Sequence, residues 1–178
     1  MGQGAANGAA ARRGPDDRSG EPPDGKPEGG PQGGPGGVIA VAADHAGWPL
    51  KALLAAWLAD AGHTILDLGT DGPASVDYPD MADRLAAALA DGRAGRGILV
   101  CGTGIGIAMA ANRHAHIRCA PVGSVTEARL AREHNDANVL ALGERLIGEA
   151  VAKDCVAAFL STQASTQERH RRRVAKLS

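Results

Sequence analysis

Cys101 stands directly before a run of alternating glycines, Gly102, Gly104 and Gly106, with Thr103 and Ile105 between them. Glycine opens backbone conformations closed to other residues and lets N–H groups come close to a ligand. Between a strand and a helix, such a loop aims its amides at whatever binds, and the helix N-terminus favours negative charge there. One reading is an anion cradle; the other is a set of glycines serving a tight strand-to-helix turn. The spacing argues against two common cradles. It is GxGxG rather than the GxGxxG of a dinucleotide fold, and no acidic residue ends the following strand to hold a ribose. Ile107-Ala108 occupy the place of the lysine and hydroxyl residue of a P-loop. Cys101, at the end of the strand, can be held as a thiolate by the same amides and helix end. Its alternative is a buried small hydrophobe, the role that suits Cys119 and Cys155.

Asp44-His45 sets a carboxylate beside an imidazole after an apolar run, and imidazole moves protons near neutral pH. Capping the next helix is the plainer use of that pair. His134, followed by Asn135 and Asp136, is open to the same ambiguity, since a helix end also welcomes histidine. His63, His114 and His116 lie in polar turns and are read as solvated. Near the C-terminus, Arg169, His170, Arg171, Arg172 and Arg173 form a basic stretch. Arg169 and Arg173 are four apart, share a helix face and suit a phosphate gripped from one side. A solvated basic helix end is the alternative, and the better reading of Arg171 and Arg172.

Apolar patterning predicts the elements that must hold these residues. Buried-strand runs cover 38–43, 64–68, 97–100, 117–122 and 138–142. Helical spacing covers 49–61, 79–90, the stretch from the glycine loop through Asn112, 147–160 and 168–177. Ser124 and Glu127 form a capping box that opens a further helix toward Glu133. Strands alternating with helices predict parallel βαβ units. The fold class is α/β: a three-layer α/β/α sandwich around a five-stranded parallel sheet, Rossmann-like. Ligands in such sheets bind at the carboxyl ends of the strands. That rule marks Asp44-His45, Thr70, the Cys101–Gly106 loop and the segment around His134-Asn135.

Composition bounds the rest. Of the 178 residues, positions 1–37 carry 12 glycines and 6 prolines and almost nothing that could build a core. They are expected to form a disordered tail ahead of one folded domain over 38–178. A net charge of −1 gives no general pull toward nucleic acid or an anionic membrane. Trp48, Trp57, Tyr78 and Phe159 are too few aromatics for a base-stacking platform. Three cysteines at wide spacing, without CxxC, make neither a disulfide framework nor a zinc site and fit a reducing cytoplasm. No metal-ligand cluster is visible, so neither a metal nor another cofactor is expected. No apolar run approaches the roughly 18 residues of a membrane span, and no apolar stretch follows Arg12-Arg13, so no span or signal peptide is expected.

Taken in order, Asp44-His45-Ala46-Gly47, Asp77-Tyr78-Pro79, Cys101–Gly106 with Ala110-Ala111-Asn112, His134-Asn135-Asp136 and Asn138–Gly143 resemble ribose-5-phosphate isomerase type B. The similarity covers about residues 38–175 and leaves the tail without a counterpart. The resemblance implies aldose–ketose isomerisation of a small phosphorylated sugar, without metal or cofactor. It implies that Cys101 is the base moving a proton between C1 and C2, and that Thr103 with the amides of Gly102, Gly104 and Gly106 stabilises the enediolate. Asp44 and His45 match residues at the sugar hydroxyls, and His134, next to Asn135, matches the one that opens the sugar ring. Arg145, Arg169 and Arg173 match phosphate ligands. Ile107 holds the place where one branch of the family carries a glutamate base. The resemblance further implies a homodimer, or a dimer of dimers, with sites built from both subunits. Hexose 6-phosphates and tetrulose phosphates are alternative substrates within the same family. Two other classes are weighed against it. A non-catalytic phosphosugar binder would need no base, and a redox protein using Cys101 would need a partner cysteine nearby.

Overall fold

Apolar runs become strands and the amphipathic stretches between them become helices. The computed structural model describes residues 1–2 and 37–177, so the expected disordered tail lies, from residue 3 to residue 36, outside the described residues. The strands are β1 (Val38–Ala43), β2 (Thr64–Asp67), β3 (Arg96–Cys101), β4 (Cys119–Pro121) and β5 (Val139–Gly143). The helices are α1 (Trp48–Asp60), α2 (Tyr78–Ala90), α3 (Ile105–Ala111), α4 (Val125–Asn135), α5 (Glu149–Ser161) and α6 (Glu168–Val174).

All strand pairs are parallel, in the order β2-β1-β3-β5-β4. The central three are buried almost throughout, which is why they read as unbroken apolar runs, whereas β2 on one edge is partly exposed. Leu50, Leu54 and Leu58 of α1 share a core with Ala128 of α4 and Phe159 of α5 on one face of the sheet. Met81 and Leu85 of α2 pack with Ile107 of α3 on the other. Each crossover keeps the right hand only if α1 and α4, which lead leftward along the sheet, lie on the opposite face from α2 and α3. The predicted sandwich is thus the observed one.

The order differs from the common doubly wound sequence 2-1-3-4-5 in one respect. The chain passes over the place of β5 when it goes from β3 to β4, and α4 then brings it back to insert β5 between them. β4 spans Cys119–Pro121 rather than 117–122, and α6 ends at Val174 rather than Leu177. The capping box is present: Ser124 Oγ accepts the Glu127 N–H at 3.3 Å, and Glu127 Oε2 accepts the Gly123 N–H at 2.8 Å. A cap of this kind contributes about 1 kcal/mol.

Two consequences position the candidate site. β1 leads away toward β2 and β3 leads away toward β4, so the sheet reverses direction between their carboxyl ends, where α/β sheets open a crevice. α4 runs from the carboxyl end of β4 back to the amino end of β5, and the Asn138 N–H reaches Arg118 O at the start of β4 at 3.1 Å. The last turn of α4 therefore lies at the opposite edge from that crevice.

Candidate active site

Cys101 is the last residue of β3 and is 4% exposed. The turn that follows brings the Gly104 N–H to its sulfur, with N···Sγ at 3.1 Å. Gly104 has φ +76°, in the left-handed region that L side chains avoid, and from there the chain turns directly into α3. An N–H aimed at sulfur favours negative charge there. Thr103 is exposed beside it, and its Oγ1 accepts the Ile105 N–H at 3.3 Å. The amides of the loop thus divide their work: that of Gly104 serves the sulfur and that of Ile105 the Thr103 hydroxyl. A Cβ at Gly106 would lie 2.8 Å from Cζ of Tyr78, so any side chain there would displace that ring.

Asp44 and His45 follow β1 at the same edge. Asp44 is buried, and its Oδ1 accepts the N–H groups of Ala46 at 3.0 Å and Gly47 at 2.9 Å. Asp44 does not cap α1, whose N-cap is Gly47 and has no side-chain cap bond; it holds the turn leading into that helix, which fixes the side chain beside the end of β3, where the Asp44 N–H meets Val100 O at 3.2 Å. His45 is exposed, with Nδ1 3.3 Å from Val76 O. Thr70 lies at this edge too, its N–H donating to Ala43 O at 3.0 Å. Arg145 joins from the end of β5. Its N–H donates to Gly102 O at 3.1 Å, and its guanidinium lies over Gly102, 3.4 Å from where a Cβ would stand.

His134 and Asn135 are not at this edge. The expectation that they mark a carboxyl end is corrected: they form the last turn of α4, at the amino edge of the sheet. Arg169 and Arg173 accompany them, because α5 runs down the sheet and α6 packs against α4 near the Ser165 N–H to Glu133 O bond of 2.8 Å. The His134 and His170 rings lie 4.4 Å apart at 45°. Burial first, then the charges of His134, Arg169 and Arg173, pull His170 below the ordinary histidine pKa, against a smaller opposing pull from Glu133. Arg171 and Arg172, read as solvated, line a cavity with Glu133, His134, Asp136 and His170.

Other expectations also shift. His114 and His116 are not simply solvated: His114 Nε2 lies 2.8 Å from Asp83 Oδ1, and His116 Nε2 lies 2.9 Å from Ala86 O. His63 Nδ1 is buried without a hydrogen-bond partner among the described residues. Cys119 and Cys155 are buried thiols as expected. Burial pushes Cys119 up to about 12, and burial followed by Glu127 and Asp154 pushes Cys155 up as well. Two contributors carry no local sequence signal for their roles. Tyr78 roofs the glycine loop, and Glu144 Oε2 accepts the Leu50 N–H of α1 at 2.9 Å while its own N–H donates to Cys101 O at 3.0 Å. Among the described residues no group of three or more His, Cys, Asp or Glu side chains could hold a metal ion, and no helix is long and apolar enough to cross a membrane.

A buried sulfur facing an amide, at strand ends that also carry a carboxylate, an imidazole and a guanidinium, suits proton transfer from a carbon acid with an anionic tail. The comparisons agree with that chemistry. The family model for ribose/galactose isomerase matches residues 39–177. Ribose-5-phosphate isomerase B of Escherichia coli K12 is 43% identical over 136 residues, covering 76% of this chain and 91% of that protein. D-erythrulose-4-phosphate isomerase of Pectobacterium atrosepticum is 41% identical over 126 residues, covering 70% and 83%. The solved structure of Clostridium thermocellum ribose-5-phosphate isomerase B superposes with a TM-score of 0.77 at 44% identity, over 79% of this chain and 94% of that one. The chain belongs to the ribose/galactose isomerase family and is an isomerase of the ribose-5-phosphate isomerase B type.

Proposed function

We propose that the enzyme interconverts ribose 5-phosphate and ribulose 5-phosphate, with Cys101 as the base. The observation that carries this reading is the Gly104 N–H on a buried Cys101 Sγ at 3.1 Å. In the open-chain aldose the thiolate takes the proton from C2. The C–H electron pair forms the C1–C2 double bond, and the carbonyl π pair moves onto O1, giving an enediolate. The thiol then returns the proton to C1, while a proton passes from O2 to O1 and leaves a carbonyl at C2. With the Gly104 amide on sulfur, Thr103 and the amides of Gly102 and Gly106 are left to stabilise the developing oxyanion. Each such donor is worth on the order of 3 kcal/mol in the transition state. Asp44 and His45 hold the sugar hydroxyls.

His134, Asn135, Arg169 and Arg173 lie at the far edge of the same chain, so they reach a crevice only if two copies meet edge to edge. A homodimer in which each crevice takes these residues from its partner, with His134 opening the sugar ring, reconciles the split. Arg145, already over Gly102, completes the phosphate grip. Arg145→Ala, Arg169→Ala and Arg173→Ala are each expected to raise KM about tenfold or more while moving kcat less, since a charge-assisted contact is worth roughly 1.5–3 kcal/mol. Arg171→Ala and Arg172→Ala are expected to change KM little. Effects at Arg171 and Arg172 as large as those at the named three would show that the residue assignment is wrong.

A second reading is a different phosphosugar, a tetrulose phosphate or a hexose 6-phosphate. The erythrulose-4-phosphate isomerase at 41% identity supports the first of these. Purified enzyme assayed side by side on four-, five- and six-carbon sugar phosphates is expected to give its highest kcat/KM on the ribose–ribulose pair. A higher value on another member reassigns the substrate and leaves the Cys101 chemistry in place.

A further inference from the structure

Lys51 projects from α1 into the interior, where its side chain is 2% exposed, and the mechanism above gives it no work. Its Nζ donates to Asp67 Oδ1 at 2.6 Å, Asp67 Oδ2 at 2.7 Å and Asp71 Oδ1 at 3.0 Å. Burying an ammonium is costly unless it is paired and hydrogen-bonded, and here carboxylates on either side of a turn supply the acceptors. Asp67 ends β2 and also accepts the Gly69 N–H on Oδ1 at 2.9 Å. From there the chain follows the end of β1, with the Ala43 N–H on Gly69 O at 2.8 Å and the Thr70 N–H on Ala43 O at 3.0 Å. Further on, Val76 meets His45 Nδ1, and the Tyr78 ring covers Gly106. Residues 69–78 thus border the crevice from Asp44 to the glycine loop.

One contact in this wall has no explanation from burial. The Asp71 side chain is 85% exposed, yet it is held by a fully buried lysine. An exposed aspartate contributes little to a core, whereas a fixed Asp71 gives the wall a fixed position. A wall in a fixed position discriminates by length: a longer sugar meets it and a shorter one leaves a gap, and a wall that yields does neither.

We propose that Lys51 is a positioning residue that fastens this wall through Asp67 and Asp71, and that the fastening sets the length of phosphosugar the crevice accepts. The inference rests on the isomerase reading of the crevice.

The test compares Lys51→Met, Asp71→Ala and Asp71→Glu with the wild-type dimer. Asp71→Ala, at an exposed position, is expected to melt within about 3 °C of wild type. Amide hydrogen exchange across Thr70–Val76 is expected to quicken about fivefold in Asp71→Ala and further in Lys51→Met. In the same variants KM for the best sugar phosphate rises about fivefold with kcat within twofold, and the preference over sugars one carbon shorter or longer falls about fivefold. Asp71→Glu restores both readouts. Unchanged exchange in both variants, or quickened exchange with wild-type KM and wild-type length preference, overturns the proposal. A wild-type enzyme that converts no sugar of the panel sinks the isomerase reading and, with it, the claim about length; the exchange measurement then decides the fastening alone.

Discussion

Replacing Cys101 by alanine is expected to abolish exchange of the substrate's C2 proton with solvent while leaving phosphosugar binding nearly intact. The loss should be at least the 10²–10⁴-fold, approximately, that a positioned base contributes. The proposed phosphate ligands, the Asp44 carboxylate and the Gly102 amide are all untouched by the change, so KM has no reason to rise in step. Measuring tritium or deuterium wash-in at C2 separates proton abstraction from later steps. Alkylation offers an independent arm. A thiol reagent should inactivate the wild-type enzyme through Cys101, with substrate protecting it. Cys119 and Cys155 should not compete, because burial holds both thiols above the ordinary cysteine range. Cys119→Ala and Cys155→Ala should retain turnover. Near-normal turnover by Cys101→Ala would instead direct attention to Asp44 or His134 as the proton carrier.

The legible parts of this molecule were those written in local periodicity. Val38–Ala43 and the run into Cys101 are apolar throughout because both faces of β1 and β3 are covered, and that is visible in one dimension. The capping box at Ser124 and Glu127 is likewise a four-residue event, found where it was expected. The insertion of β5 between β3 and β4 is not written locally, because a βαβ unit reads the same whether its crossover moves left or right along the sheet. The misplacement of His134-Asn135 is of another kind. A helix between parallel strands must return to the amino edge, so the predicted alternation already carried the answer that the last turn of α4 faces away from the crevice. Lys51 shows the limit of patterning. It sits among Leu50, Leu54 and Leu58 as a lone cation on a core-facing helix, and only the tertiary approach of Asp67 and Asp71 reveals what it holds. The split between Arg169/Arg173 and Arg171/Arg172 is also half-legible. Helical spacing separates the pairs, but it does not say that the second pair lines a cavity with His134.

Mixing two inactive variants is expected to restore activity if each crevice is completed by the neighbouring copy. Cys101→Ala keeps His134, and His134→Ala keeps Cys101. In a dimer with one chain of each kind, the crevice that holds Cys101 receives the intact His134 from its partner, and the other crevice lacks both. Random re-pairing of equal amounts makes about half the dimers mixed, each with one working site of two, so about a quarter of wild-type activity should return. Each variant alone should remain near its own background, which makes the gain large against a small baseline. The geometry requires this outcome under the dimer proposal, since Cys101 ends β3 at the carboxyl edge and His134 ends α4 at the amino edge of the same sheet. Two comparisons keep the result interpretable. Cys101→Ala mixed with Asp44→Ala should recover nothing, because both changes fall in the same half of the site. Arg173→Ala mixed with Cys101→Ala should regain turnover at the wild-type KM in a part of the sites, since Arg173 belongs to the far edge. Failure of the first mixture to recover, with subunit exchange verified by mass, would mean that His134 works within its own chain or not at all, and the role of the far edge would pass to fold stability.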